Sequence, residues 1–217
     1  MPATRRQVVV AGAGGAALAV PAVASAASVD RVGIASDARE AVGVIGTILQ
    51  DGPQLAGFGY LTHVAGMKAR DLFTDPAQRG ASTARLLWHA NVRVDSLDLL
   101  PQLFYGTGEG RLRFFFSEHG GAVDGDPATF TTGRLVARFT GKFRNVQIVY
   151  APDHAVTEIV GELTQREARR FEIHGTARRL GRVGALPQLI ASGPATRTDA
   201  TIPRSTRYVA GGLTFPG

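Results

Sequence analysis

The sequence predicts an all-β fold: an antiparallel barrel of eight to nine strands, with a β-sandwich as the alternative. Three observations predict it. From residue 41 onward, apolar and polar side chains alternate with period two in one segment after another, as strands with one buried face require. Turn signals rich in Gly, Pro and Asp separate these segments. No stretch of ordinary helix length carries a 3.6-residue repeat. The barrel is preferred to the sandwich because the segments starting at residues 82, 103 and 134 run well past ten residues. In addition, Gly57, Gly59, Gly106, Gly108, Gly110, Gly141 and Gly161 fall inside strands, where glycine eases tight curvature. Closure also removes exposed sheet edges.

The chain opens with a segment of another kind. Residues 1–26 place Arg5 and Arg6 before an uncharged run from Val8 to Val23, and Ala24-Ser25-Ala26 completes a small-residue cleavage pattern. Basic start, apolar run and small-residue site in that order make a secretory signal, cleaved near Ala26. The run is too short and too glycine-rich for a good membrane span, and no later stretch reaches 18 uninterrupted apolar residues. The mature protein is therefore expected to be exported, without a stable membrane span. Gly12-x-Gly14-x-x-Ala17 imitates a dinucleotide fingerprint, but Pro21 interrupts the helix that motif needs and no strand–helix alternation follows. The sequence calls for no cofactor.

Residues 27–40 form a polar lead-in, and a single barrel domain is expected over 41–217. Val42–Leu49 and Leu55–Val64 flank the turn Asp51-Gly52-Pro53 and predict a hairpin. Residues 65–80 read as a loop, with one helical turn starting at Thr74-Asp75-Pro76. Ser82–Asp95 sets Ala84, Leu86, Trp88, Ala90 and Val92 against Arg85, His89, Asn91 and Arg93. Leu103–Ser117 sets Phe104, three glycines, Leu112, Phe114 and Phe116 against Tyr105, Glu109, Arg111 and Arg113. A Gly/Asp-rich turn at 118–127 leads to Arg134–Val149, whose inward set is Leu135, Ala137, Phe139, Gly141 and Phe143. Ala155–Thr164, Arg170–Arg178, Leu186–Arg197 and Arg204–Phe215 complete the count.

Composition excludes several chemistries. Without cysteine there are no disulfides, thiolate metal sites or cysteine nucleophiles. Beyond residue 26 the chain carries 22 basic and 18 acidic residues, a small and dispersed excess with no nucleic-acid motif, so no nucleic-acid partner is expected. No two of the five histidines are spaced as metal ligands on one strand or helix, and no metal site is predicted. No G-x-S-x-G nucleophile elbow is present.

Two candidate sets remain. Tyr60, Trp88, Phe114 and Phe139 fall on predicted inward faces and are candidates to line a lumen for a small hydrophobic ligand; the same rings would equally serve to fill a small barrel. His63, Glu109 and Arg111 are the polar candidates, since a carboxylate beside arginine at a barrel mouth can orient a polar group; the alternative is an outward charge ladder.

Two resemblances complete the reading. Thr4-Arg5-Arg6-Gln7 followed by Val8 and Val9 resembles the twin-arginine (Tat) motif, which implies the Tat export machinery as a partner through Arg5 and Arg6. The strand layout of residues 41–217, with Gly57-Phe58-Gly59-Tyr60 and Gly106-x-Gly108-x-Gly110, resembles the allene oxide cyclase and dirigent-type barrels, and also secreted actinobacterial proteins of unassigned function. The likeness implies an eight-stranded barrel, with isomerase- or cyclase-type chemistry as one functional expectation and a non-enzymatic extracellular interaction or structural role as the other. No catalytic residue is carried over.

Overall fold

The computed structural model describes residues 30–33, 40–151, 154–196 and 204–215; the leader, its arginines and its cleavage site lie outside the described residues. The strands, in chain order, are β1 (Asp30–Val32), β2 (Glu40–Asp51), β3 (Gln54–Val64), β4 (Leu86–Leu99), β5 (Leu103–Phe116), β6 (Arg134–Ala151), β7 (His154–Ala168), β8 (Arg170–Ile173), β9 (Thr176–Leu180), β10 (Gln188–Ala195) and β11 (Arg204–Thr214). Eight of them close an antiparallel barrel in the order β2-β3-β4-β5-β6-β7-β10-β11, with β11 paired back onto β2. Each barrel strand thus pairs with its neighbours in the chain, once β8 and β9 are set aside. Closure leaves no barrel strand with an unpaired edge.

Alternation decides which side chains enter the lumen. Val44, Gly46 and Ile48 of β2 point inward together with Leu55, Gly57 and Gly59 of β3, Trp88, Ala90 and Val92 of β4, and Val209 and Gly211 of β11. On β4 the predicted strand 82–95 is displaced, because residues 82–85 belong to turn and bridge structure and the strand continues to Leu99. The register shifts between Val94 and Ser96, and this bulge moves Leu97 onto the lumen side with Val94. One extra residue exchanges the faces of everything beyond it.

The end of the barrel formed by the start of β2 and the end of β3 is plugged and capped. Phe114 and Phe139 stack tilted with centroids 5.3 Å apart, fully buried beside Leu61, Leu86 and Leu213. Over this end lies a three-stranded sheet of order β1-β9-β8. The predicted strand 170–178 is therefore a hairpin and not a barrel strand. Its two-residue turn, His174-Gly175, has φ of +49° and +74°, the left-handed pair that a type I′ turn demands. The polar lead-in supplies β1, which pairs parallel to β9. Gln165 of β7, wholly buried, fastens the cap: its Nε2 donates to Leu180 O (2.8 Å) and its Oε1 accepts from Arg182 N (3.0 Å). Phe116 and Phe171 meet across the same junction at 5.2 Å.

The helical turn predicted at residues 74–76 falls earlier. Helix α1 is Ala69–Leu72, where Asp71 accepts from the Lys68 amide at 3.0 Å. Asp75 instead accepts from Ala77 N at 2.9 Å and fixes a turn. The Gly/Asp-rich 118–127 turn leads into a 3₁₀ segment, Pro127–Thr131, whose Phe130 packs on Phe58 at 5.1 Å.

Candidate functional site

Trp88 organises the lumen. Its indole lies across the inward glycines of β2 and β3. A Cβ added at Gly46, Gly57 or Gly59 would stand 2.5, 2.8 or 2.7 Å from the ring. The indole Nε1 donates to Ile45 O at 3.0 Å, so the one polar atom of the ring is satisfied. Glycine in these strands thus has a local cause: the wall is thinned where the largest side chain lies flat on it.

Beyond Trp88, on the side away from the plug, the lumen opens into a chamber of about 70 Å³. Val44, Ile48, Ala90, Leu112, Phe143 and Ile159 are among its walls, and the lining is almost wholly apolar. A smaller cavity of about 30 Å³ lies next to it, with Leu55, Val92, Phe143 and Asn145 common to both. Here the lining turns polar, with Gln50, Thr107, Asn145, Gln147 and Arg207. Thr157, fully buried, donates to Asn145 Oδ1 at 2.6 Å.

Arg207 is the anomaly of this end. Its side chain rises from the inward face of β11, in line with Val209, and the residue is 2% exposed. Nε donates to Gln147 Oε1 at 3.2 Å and Nη2 to Gln50 Oε1, both neutral acceptors. Nη1 is buried and has no hydrogen-bond partner among the described residues. Burial pulls the guanidinium down to about 10, still cationic at neutral pH. Arg207 is also, among the described residues, the one ionisable side chain lining either cavity. The lumen therefore combines an apolar chamber with a single desolvated positive charge.

The structure separates the residues predicted for the site. Trp88 lines the chamber. Phe114 and Phe139, although inward as predicted, belong to the packed plug. Tyr60 is on the outer face of β3, edge-on to Phe73 at 6.2 Å, because its inward neighbours Gly59 and Leu61 hold the lumen positions. Tyr60 lines an outer groove with Asp124 and Phe130; burial first, and Asp124 second, raise its hydroxyl above the ordinary tyrosine value. Phe58 also lies on the outer face of β3, against Phe130.

His63 is exposed on β3. Glu109 and Arg111 are exposed on β5, where Glu109 faces Arg93 and Lys142 in register and Arg111 faces Asn91 and Thr140. These residues form part of the outward ladder and are not brought together with the lumen. Nearby, Arg113 Nη2 bonds His89 Nδ1 at 3.0 Å, which makes that nitrogen the acceptor; desolvation and then the Arg113 charge lower the His89 pKa. Among the described residues no group of three His, Asp or Glu is placed to hold a metal ion, and no helix is long and apolar enough to cross a membrane.

Sequence reasoning missed Arg207, Gln50 and Gln147. A signal was present: each sits in the apolar register of its strand, Arg207 with Val209 and Leu213, and Gln50 with Val44 and Ile48. A polar residue on an apolar face marks a buried polar group. No protein-family model, curated protein or solved structure matches the chain.

Proposed function

We propose that the protein is an exported barrel that binds a small, mainly apolar molecule in the chamber beneath Trp88. The observation that carries this reading is the apolar chamber itself, walled on one side by an indole laid over three glycines. Its size limits the guest. Ligand pockets for drug-sized molecules run to several hundred Å³, and a cavity of roughly 150 Å³ takes a benzene ring. A chamber of about 70 Å³ suits a guest of only a few carbons. Among the described residues the one ionisable group of the two cavities is Arg207, in the smaller one, with its pKa lowered to about 10, so the lumen supports binding and polarisation more than proton transfer. Isomerase- or cyclase-type chemistry would have to work through charge stabilisation by Arg207.

Trp88 is the single tryptophan of the chain and reports on the chamber directly. Titration with alcohols of two to six carbons should give a saturable change in its fluorescence, strongest for the members that fit, and a matching rise in melting temperature. Absence of both across the panel would reduce the lumen to core packing.

Export is the second half of the reading and rests on the leader sequence. Replacing Arg5 and Arg6 by lysine should leave the precursor inside the cell. Undiminished secretion would instead assign the leader to the general secretory route.

The outer wall favours a second reading, a non-enzymatic interaction or structural role. Ile45, Leu49, Ile190 and Tyr208 are exposed on the outward face of three adjacent strands, β2, β11 and β10. Apolar side chains grouped this way mark interaction surfaces. Tyr208→Lys would abolish such an interaction while leaving the Trp88 response to alcohols intact.

A further inference from the structure

We propose that the lumen is an anion site, and that its guest is a short-chain aliphatic monocarboxylate whose carboxylate meets Arg207 while its tail fills the chamber. The inference rests on reading the chamber as a ligand site, and goes further by naming the ligand's charge and class.

A buried charge without a partner is costly. A guanidinium removed from water is disfavoured unless a counter-charge and good hydrogen bonds replace its hydration. Arg207 has the hydrogen bonds in part and, among the described residues, no counter-charge. Its two acceptors are the amide oxygens of Gln50 and Gln147, and the whole of Nη1 is without a partner among the described residues. Among the described residues no carboxylate lines either cavity. A neighbouring strand position could have supplied a glutamate, as it does for Arg144 and Glu162 on the outer wall, 3.1 Å apart. The lumen holds glutamines instead. Glutamine orients a guanidinium without neutralising it, and so leaves the charge for something that enters.

The shape of the cavities narrows the class. One guanidinium balances one negative charge, and its planar fork matches a carboxylate; a phosphate dianion would bring a second, unpaired charge into the same desolvated place. The small cavity beside Arg207 has room for little more than a head group, on the scale where one water needs about 10–15 Å³. The chamber that adjoins it offers almost no polar surface and suits a tail of about three or four carbons by the same scale. A bare inorganic ion would leave that chamber empty, and a neutral molecule would leave the charge unbalanced.

The test compares butyrate, butyramide and formate on the full-length protein, by Trp88 fluorescence and by calorimetry. Butyrate should bind at least tenfold more tightly than butyramide, its neutral counterpart, and at least tenfold more tightly than formate. In Arg207→Leu the preference for butyrate over butyramide should vanish with butyramide binding retained. That variant should be no less stable than the native protein in anion-free buffer, because an unneutralised buried charge has been removed. Should Arg207→Leu fail to fold, Arg207→Lys should weaken butyrate binding but keep its preference over butyramide. Equal binding of butyrate and butyramide would overturn the anion inference and leave the chamber reading standing. Binding of neither, with no alcohol response, would overturn both. Formate as tight as butyrate would reduce the site to a bare anion pocket and overturn the assignment of the tail.

Discussion

Gly59 and Gly106 are both inward glycines on barrel strands, yet they have opposite tolerances. At Gly59 a Cβ would collide first with the Ile45 carbonyl oxygen and then stand 2.6 Å from Gly46 Cα and 2.7 Å from Trp88 Nε1, so an alanine must part β2 from β3 and displace the indole from Ile45 O. At Gly106 the nearest atom is Leu97 Cδ1 at 3.4 Å, an ordinary contact. Gly59→Ala should cost about 2–4 kcal/mol in urea unfolding, from overpacking and a lost hydrogen bond. Gly106→Ala should be neutral or stabilising by about 0.5 kcal/mol, through the unfolded chain. His89 gives a pH signature at the same scale. Its folded pKa lies below the unfolded value of about 6.5, so the unfolded chain binds the proton first. Its contribution is complete above pH 6.5 and is lost as pH falls through the folded value. Melting temperature followed from pH 8 to 5 should therefore decline less steeply in His89→Gln than in the native protein. Of the site residues, Trp88 was legible from alternation alone. Tyr60 was not, because its aromatic character argued for the inside while the flanking glycines, whose smallness is the true mark of a crowded lumen wall, were read only as hinges of curvature.

Among the elements, the cap is tied to the barrel through the buried Gln165 side chain. Gln165 ties β7 to the end of β9 through Leu180 O and to the following turn through Arg182 N. Gln165→Leu would leave both backbone groups without their partner, at about 1–3 kcal/mol for each one left buried. Hydrogen exchange should show the Gly181 and Arg182 amides losing protection first, with the amides of β4 and β5 unchanged; uniform loss would mean that cap and barrel unfold as one unit. The strands of the ring were readable because most keep one face largely apolar along their length. The cap was not, for a physical reason. Residues 170–180 alternate as a single strand would, and only the left-handed turn at His174-Gly175 folds them back; glycine permits that turn, but histidine in the first position does not announce it. The bulge at Val94/Ser96 is equally silent, since its inserted residue, Asp95, is an ordinary polar residue near a strand end.

At the scale of the whole molecule, the strands are held by pairing around a ring in which β11, the last, is hydrogen-bonded to β2, the first of the barrel. Removing residues 204–217 would expose the long edges of β2 and β10 at once and discard Arg207 with them. That truncated chain should be recovered as aggregate, with size-exclusion chromatography showing no monomer peak. A folded monomer would mean that β10 can close directly onto β2.

The same pairing carries a different consequence for the engineering of the chain. In a cycle of neighbours no strand is intrinsically first, and Thr214 already stands opposite Glu40. Joining the barrel's two ends there and cutting the Gly52-Pro53 turn would renumber every strand and change no neighbour. A chain reordered in this way should close the same barrel, with only β1 of the cap lost from it.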